Sequence, residues 1–459
     1  MFLDRYLTEY DDSLSGESYI DPIGTLVIWS AYGQEIFRNR VNSISNDVRN
    51  YTLNLFNHYV IRRLIGDEPV PLSNKLTNVY GGKDALFFKY ACLLYLENLF
   101  VFSILKHEER KGVDSGGVLG ITKGRRLWAE KNANPRLVFS HEKPGQILVR
   151  QLGLGVSGRY KTPLMEIGYF DGNYHYYQPR AAALWEGVEQ FVATTPLGTL
   201  ADALADHLRA LVSQNKERPE TAFGDLPDTL TQTLADTFAS PGAVGVYAKD
   251  YWLSATGLNT GAAGALFTVL DENARSAKPK DLGARKLMTL ALAKALPEEE
   301  RLKMEHIEQL EPFLADAMLL FMLLTNKKSQ TLKAVMGRWK EFGRDEHTLA
   351  SSARRLRDNP KLIRVVKGTA RARLTSLLRL ADAATLADQI AVLLDYHAKV
   401  MTERGQSPWL TVEEGGLVRV HVRPMHAQAP EDWPNGAWFN TYYLPQFKGL
   451  VSGYQGVAA

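Results

Sequence analysis

The chain has 459 residues, of which 45% are hydrophobic and 23% are charged, and its formal net charge at pH 7 is +3. These values are typical of a folded globular protein with about two to four domains, and they exclude a disordered or fibrous chain. The single cysteine, Cys92, excludes a disulfide framework and a multi-cysteine zinc site, which favours a reducing, cytoplasmic location.

The sequence contains no segment that predicts insertion into a membrane. The first residues carry neither the basic segment nor the long apolar segment of a secretory signal. The apolar stretch from Phe313 to Leu324 has about 12 residues, whereas a helix needs about 20 to cross a bilayer. We therefore expect no contact with a membrane.

Residues 1–195 are predicted to form a mostly helical domain. Apolar residues recur every three or four positions from Pro22 to Asp67, which is typical of a helix that buries one face. A more apolar helix is predicted from Lys83 to His107, at the centre of a core. The Asp171-Gly172 pair stands between aromatic residues and predicts a tight β-hairpin, because Asp-Gly tolerates the positive φ angles of such a turn.

A first basic cluster lies between positions 123 and 161. Only Glu130 and Glu142 oppose its nine cations, which are Lys123, Arg125, Arg126, Lys131, Arg136, Lys143, Arg150, Arg159 and Lys161. Clustered Lys and Arg side chains are the usual means of binding nucleic-acid phosphates. We therefore predict DNA contacts at Lys123, Arg125, Arg126, Arg159, Tyr160 and Lys161.

The order of elements across residues 117–178 suggests a winged helix-turn-helix. Residues 146–154 would form its first helix, and Thr162 would cap the second helix, which approaches the DNA groove. The Asp171-Gly172 turn would then lie at the tip of the wing. In the alternative interpretation, Leu164 to Phe170 form a β-strand of a mixed α/β core, and the cations form a solvated rim.

Residues 196–404 are rich in Ala and Leu and predict a helical bundle. The helical period and the positions of Pro297 and Pro312 give the candidate helices 200–213, 284–296, 298–310, 312–326, 332–342, 348–357, 362–380 and 384–402. No repeat of fixed period is present in the sequence, which argues against a solenoid.

A second basic cluster lies within this bundle. Asp358 is the only acid from position 351 to 380, and it stands against nine cations, Arg354, Arg355, Arg357, Lys361, Arg364, Lys367, Arg371, Arg373 and Arg379. Arg364, Lys367 and Arg371 are spaced i, i+3 and i+7, so we predict that they share one helical face and bind phosphates. Alternatively, this face is matched inside the protein by the acidic residues Glu298, Glu299, Glu300, Glu305, Glu308 and Glu311.

Residues 405–459 form a third predicted segment. Residues 409–412 and 417–422 are predicted to pair as a β-hairpin around the turn 413–416. The segment also contains the large rings Trp433, Trp438, Phe439, Tyr442, Tyr443, Phe447 and Tyr454. Because so many rings rarely all remain in water, we expect this tail to pack on a domain or on a partner.

Motifs that would indicate catalysis are incomplete. Gly81-Gly82-Lys83 lacks the spacing of a phosphate-binding loop. The Asp114-Ser115-Gly116-Gly117 segment resembles a serine-nucleophile motif, but no triad can be placed around it. His421 and His426 are five positions apart, but they lie on a predicted strand and on the loop after it, which does not favour a shared metal. We therefore predict no catalytic residue, metal ligand or cofactor, and leave open a site assembled from distant residues.

One part of the sequence resembles a known group of proteins. The segments Gly117-Val118-Leu119-Gly120-Ile121, 123–128, 150–155 and 158–163 resemble stretches in uncharacterised accessory proteins of prokaryotic anti-phage defence islands. The resemblance covers about 50 residues and includes no catalytic motif. It implies a role in anti-phage defence or genome maintenance, and it assigns no site residue.

Taken together, we predict a mainly α (α+β) protein, with an N-terminal helical domain that carries a β-hairpin, a C-terminal helical bundle and a terminal β-hairpin. The predicted function is a non-catalytic, DNA-contacting or assembly subunit of a multi-protein prokaryotic system. Two alternatives remain open. One is a scaffold whose basic faces and aromatic tail bind proteins, and the other is a nuclease with a dispersed metal site.

Overall fold

The computed structural model describes residues 21–67, 71–426 and 429–456. Its helices are α1 Thr25–Phe37, α2 Val48–Gly66, α3 Asn74–Tyr80, α4 Leu86–His107, α5 Ile121–Glu130, α6 Gln151–Leu154, α7 Val156–Arg159, α8 Lys161–Ile167, α9 Ala182–Ala193, α10 Leu197–Val212, α11 Asp228–Thr237, α12 Pro241–Thr256, α13 Gly261–Ala274, α14 Ala284–Leu292, α15 Glu298–Thr325, α16 Leu332–Glu341, α17 Thr348–Arg357, α18 Pro360–Val365, α19 Gly368–Leu377, α20 Leu386–Glu403 and α21 Leu444–Tyr454. Its strands are β1 Arg136–Val138, β2 Glu220–Ala222, β3 Ser329–Thr331, β4 Leu410–Glu413 and β5 Leu417–Val420. The prediction of a mainly α protein with a small β part is confirmed.

The chain folds into two compact units that each take residues from distant parts of the sequence. Unit 1 contains the residues up to Ile36 and Glu298–Tyr442, and unit 2 contains Phe37–Pro297 and Tyr443–Ala459. The sequence prediction divides the chain instead into consecutive segments at positions 195 and 404. Composition changes mark such consecutive segments, but they carry no signal for a terminal segment that returns to an earlier one.

The core of unit 2 is built around α2 and α4. Helix α4 is long and apolar enough to cross a membrane by length and composition, but 94% of its most apolar window is buried inside the protein. A core helix of a soluble protein has this property. The predicted helix from Pro22 to Asp67 is in fact two helices, because the chain turns between Phe37 and Asp47, where the Asp47 carboxylate accepts from the Arg49 N–H and caps α2.

The predicted hairpin at Asp171-Gly172 is wrong, because no strand flanks this turn in the described part of the chain. The Asp171 carboxylate accepts from the backbone N–H groups of Asn173, at 2.9 Å, and His175, at 3.2 Å, so a side chain closes the loop. Tyr174 and Tyr176 are buried beside it. Packing of aromatic rings, rather than strand pairing, therefore fixes this segment.

The winged-helix interpretation and its strand alternative both fail in the same region. Residues 146–167 form three short helices, α6, α7 and α8, and α8 occupies most of the segment that the alternative assigns to a strand. Helix α7 packs on α2, and α6 packs on α4. The short helices are therefore part of the surface of the unit 2 core, without a wing.

Two small antiparallel sheets have the strand orders β1-β2 and β3-β5-β4. The predicted terminal hairpin is confirmed: β4 pairs with β5, with Val412 opposite Val418. Strand β3 completes this sheet in unit 1, with Gln330 on the other side of Val418. It has only three residues, which is too short for an alternating pattern to predict.

Helix α15 is the central helix of unit 1 and runs through Pro312 without a break. The prediction of separate helices on either side of this proline is wrong. Proline removes one backbone donor, and the apolar side chains from Phe313 to Leu324, nearly all buried, stabilise the helix beyond it.

Two buried charged groups of unit 1 bind the aromatic tail. Both oxygens of the Glu311 carboxylate accept hydrogen bonds, at 2.8 Å from the Asn440 N–H and 2.6 Å from the Tyr442 hydroxyl. Arg344 pairs with Asp316 at 2.9 Å and donates to the carbonyl of Trp433 at 2.6 Å. The part of the tail that includes Trp433 and Tyr442 is therefore buried within unit 1.

Candidate nucleic-acid interface

The second basic cluster occupies α17, α18 and α19, which pack one on the next in unit 1. Helix α17 buries Leu349, Ala353 and Leu356, so Arg354 and Arg355 lie on its exposed side. In α18, Asn359 caps the Leu362 N–H and Leu362 is buried. Lys361 and Arg364 are exposed on α18, and Lys367 is exposed between α18 and α19.

The prediction that Arg364, Lys367 and Arg371 share one helical face is wrong. The chain leaves the helix at Val366, which is extended at φ −89° and ψ 155° and buries its side chain. Gly368 follows with a φ of +55°, a conformation that favours glycine. The predicted helix 362–380 is therefore two helices with a sharp turn between them.

Arg371 has a structural role at this turn. Its guanidinium donates to the carbonyl oxygens of Val366 and Arg364, both at 2.8 Å. These carbonyls end α18, and the last carbonyls of a helix have no partner within it. Arg371 is half-buried, and it stabilises the turn that presents Lys367.

Acids outside the cluster neutralise three of its cations. Ion pairs join Arg357 to Asp382 at 2.6 Å, Arg373 to Glu403 at 3.5 Å and Arg379 to Asp395 at 3.6 Å. None of these acids belongs to α15. In unit 1, Glu300 of α15 pairs with Lys303 of its own helix, and Glu311 is buried under the tail. The predicted match between the cluster and the α15 glutamates is therefore not made by these pairs.

Five cations of the cluster, which we call the basic surface, keep their charge without an ion-pair partner. Within residues 21–67, 71–426 and 429–456, no carboxylate oxygen lies within 4.0 Å of the charged nitrogens of Arg354, Arg355, Lys361, Arg364 and Lys367. Arg354 donates to the Ala381 carbonyl and Arg355 to the Ser352 hydroxyl, each at 3.1 Å, and these acceptors are neutral.

One acid lies farther from this surface and interacts with it. Burial raises the pKa of the Glu35 carboxyl, and the positive charges of Lys303 and Lys367 act in the opposite direction. Glu35 is half-buried on α1. Its charge reduces, without a direct ion pair, the potential near Lys367 at one edge of the basic surface.

In the first basic cluster, ion pairs engage arginines that the sequence predicts as phosphate contacts. Arg125 pairs with Glu108 at 2.7 Å, Arg126 with Glu130 at 3.0 Å, and Arg136 with Glu220 at 2.6 Å. Lys123 and Arg159 are half-buried and also have partners. Most of the predicted phosphate contacts of this cluster are thus already engaged within unit 2.

Tyr160 and Lys161 do not face outward as a helix-turn-helix would require. Tyr160 is 1% exposed, with its ring centroid 5.2 Å from that of Tyr51, and burial raises the pKa of its hydroxyl. The Lys161 ammonium donates to the Gly172 carbonyl at 2.8 Å and lies 4.4 Å from the centroid of the Tyr174 ring. Burial lowers the pKa of Lys161. Lys161 therefore holds the loop at 168–178, and Tyr160 packs on α2 and is not available to DNA.

Sequence reasoning did not single out the buried ionisable groups of unit 2. Glu97, in the middle of α4, accepts from the Ser157 N–H at 2.6 Å and from the Gln151 amide at 3.0 Å. Burial raises the pKa of Glu97, while these hydrogen bonds lower it. Its sequence signal is a carboxylate inside an otherwise apolar helix. Glu97 joins α4 to α6 and α7, so its role is structural.

His58 is a second buried group of this kind. Its Nδ1 lies 2.8 Å from the Tyr176 hydroxyl. Burial lowers the pKa of His58 to about 3, and the charges of Lys161 and Lys89 act in the same direction. His58 is therefore neutral at physiological pH. Among the residues that the structure describes, no three His, Cys, Asp or Glu side chains converge as metal ligands.

Comparisons with family models, with curated proteins and with solved structures find no match to this chain.

Proposed function

We propose that this protein is a non-catalytic, DNA-contacting subunit of a multi-protein prokaryotic defence or genome-maintenance system, and that it binds the phosphate backbone through the basic surface of unit 1. The observation that carries the proposal is the set of five exposed cations, Arg354, Arg355, Lys361, Arg364 and Lys367, with no carboxylate within 4.0 Å in the described chain.

The chemistry of the basic surface favours phosphate over other acceptors. Each Lys or Arg that neutralises a phosphate releases condensed counterions, and the logarithm of the binding constant falls with the logarithm of salt by about 0.9 per contact. These five side chains extend from helices and from a turn, and contacts from such cations to phosphates do not depend on the base sequence. We therefore expect binding with little sequence preference and a steep dependence on salt.

Other observations support the cytoplasmic, multi-subunit context. The only cysteine, Cys92, is buried, and burial raises the pKa of its thiol, so it is an inert core residue. The resemblance of parts of the segment 117–163 to accessory proteins of defence islands suggests the kind of system. Neighbouring subunits would supply the catalytic activity in such a system.

The test measures duplex DNA binding by fluorescence anisotropy over a series of salt concentrations. We expect the triple variant Lys361→Ala, Arg364→Ala, Lys367→Ala to lower the salt slope by about 3. The matched control is Lys333→Ala, Lys340→Ala, Lys399→Ala, which removes the same charge from exposed residues elsewhere in unit 1. The control is expected to retain the wild-type slope. Thermal midpoints of both variants should stay near the wild-type value, because all six residues are exposed.

Two outcomes would overturn the proposal. If the wild-type protein does not bind duplex DNA at low salt, the basic surface has a different partner, and an acidic protein surface becomes the better explanation. If both triple variants weaken binding equally, overall charge rather than the basic surface is responsible. The scaffold alternative requires the aromatic tail to bind a partner protein. Trp433 and Tyr442 of this tail are buried within unit 1, which argues against that role for these two rings.

A further inference from the structure

We infer that unit 2 contains a binding site for a small molecule in which a phosphate is joined to a flat apolar ring, such as an aryl phosphate or a nucleoside monophosphate. A cavity of about 400 Å³ lies between α4, the end of α5, β1 and the segment at 144–147. Small-molecule sites in proteins typically have volumes of about 300 to 1,000 Å³. This site is independent of the proposed DNA contact, which involves unit 1 alone.

One side of the cavity is apolar and rigid. Phe102 of α4, Leu127 of α5 and Ile147 form part of its wall. Phe102 is 2% exposed, and its ring is stacked near that of Trp128, with an interplanar angle of 26°. Phe102 also packs against Phe223, so its position in the wall is fixed. An apolar ring is a ligand group that suits a wall of aromatic and aliphatic side chains.

The lining of the cavity also carries positive charge. Lys131 lines the cavity at the end of α5, is exposed, and has no carboxylate within 4.0 Å in the residues that the structure covers. Arg136 lines it from β1 and gives one nitrogen, Nη1, to Glu220 at 2.6 Å. Its Nε and Nη2 donors make no hydrogen bond with another described residue. Two cations opposed by one acid leave a net positive charge, which suits a phosphate.

The cavity is also lined by a buried polar side chain, the amide of Asn98. Asn98 is 5% exposed. Its Nδ2 donates to the Gly145 carbonyl at 2.8 Å, and its Oδ1 accepts from the Gln151 amide at 2.9 Å. With both atoms engaged, the Asn98 side chain is held in one orientation. Such pre-organisation lowers the entropy lost when a ligand binds.

The size of the cavity determines the class of ligand. A DNA duplex cannot enter a volume of about 400 Å³, whereas a single ring with one phosphate fits within it. The lining contains both apolar side chains and cations, so the ligand that fills it best has both characters. Free phosphate would leave the apolar side unfilled, and a neutral ring would leave Lys131 and Arg136 without a counterion.

The experiment uses the full-length protein and isothermal titration calorimetry with four probes: phenyl phosphate, adenosine monophosphate, inorganic phosphate and adenosine. We expect at least one of the first two to bind at least about tenfold more tightly than inorganic phosphate and adenosine. Lys131→Glu is expected to weaken that binding by at least about tenfold, since it replaces attraction by repulsion. Lys216→Glu, which changes an exposed lysine outside the cavity wall, is expected to leave it unchanged.

A second variant tests the cavity itself. Leu127→Trp places a larger ring in the half-buried wall position, and we expect it to abolish binding while the thermal midpoint stays close to that of the wild type. If Leu127→Trp fails to fold, the exposed Lys131→Glu still decides the question. The inference is wrong if neither phosphate compound binds the wild-type protein at millimolar concentration. It is also wrong if inorganic phosphate binds as tightly, or if the two lysine variants behave alike.

Discussion

The two basic clusters are alike in sequence and different in structure. Each has nine cations within about forty residues or fewer, and each has one or two acids among them. In each cluster three arginines form ion pairs, but in unit 2 these include the predicted contacts Arg125 and Arg126. In unit 1 the predicted contacts Arg364 and Lys367 have no carboxylate within 4.0 Å in the described residues. The density of cations along a sequence therefore does not reveal their net charge in space, because the neutralising acids come from other elements.

The largest expected effect is the loss of stability when the buried His58 of unit 2 is protonated. Buried His58 is neutral beside Lys89 and Lys161, and burial lowers its pKa to about 3. The unfolded chain takes up the proton near pH 6.5 and the folded chain only near pH 3, so stability is lost as pH falls through this window. We expect a loss of about 4 kcal/mol in the free energy of unfolding across this range from this residue.

Urea unfolding at a series of pH values measures this loss. His58→Gln is expected to flatten the pH dependence between pH 6.5 and pH 3, since glutamine does not titrate. His347→Gln, at an exposed position, is the matched control and should keep the wild-type dependence. Equal slopes in the two variants would show that the interior of unit 2 accommodates a further positive charge.

The next effect separates the clusters by their DNA contacts. We expect Arg125→Ala, Arg126→Ala, Arg136→Ala in unit 2 to leave the salt slope of DNA binding nearly unchanged, because all three guanidinium groups are already paired. The unit 1 triple variant at Lys361, Arg364 and Lys367 is expected to lower that slope by about 3. Anisotropy titrations of both variants compare them directly. A larger loss in the unit 2 variant would reverse our assignment of the interface.

A smaller effect is expected when two of the acids that pair with the first basic cluster lose their charge. Glu108→Gln with Glu220→Gln frees the charges of Arg125 and Arg136. We expect the salt slope of DNA binding to become steeper by up to about 2. The free energy of unfolding should change by less than about 1 kcal/mol, because surface ion pairs contribute little. An unchanged slope in the same titrations would mean that this face does not reach DNA even when its charge is free.

The smallest effect distinguishes structural from binding cations within unit 1. Arg371→Ala removes the donors to the Val366 and Arg364 carbonyls and is expected to lower the free energy of unfolding by about 1 kcal/mol. Arg355→Ala, with its neutral Ser352 contact, is expected to leave stability unchanged. Chemical denaturation measures both. If Arg371→Ala is as stable as the wild type, the turn at Val366 does not depend on this side chain.

Local patterns in the sequence predicted much of the fold. Helix α17 has the bounds that the periodicity gives, Thr348–Arg357, and the terminal hairpin pairs where its two strands were expected. These elements are fixed by residues close to one another in the chain. The break at Val366 was missed because burial of one valine, a non-local effect, overrides the helical spacing of the cations.

The candidate interface could be predicted only in part. The sequence identified the cations of α18 and the turn after it, Lys361, Arg364 and Lys367, which are exposed. It could not show that Tyr160 is buried, because burial depends on α2, more than a hundred residues away. The sequence also could not predict the cavity of unit 2, because its walls come from four separate segments.

The return of α21 to unit 2 constrains how the protein can be made. Helix α21 packs on α12, and Gly245 of α12 lies so close to the carbonyl of Gly453 that a Cβ atom there would collide with it. Nascent chains leave the ribosome amino terminus first, and independent domains usually fold in that order. Here the core of unit 2 gains its last helix only after all of unit 1 has been synthesised. The early segments of unit 2 therefore keep part of their apolar surface uncovered until α21 has been synthesised.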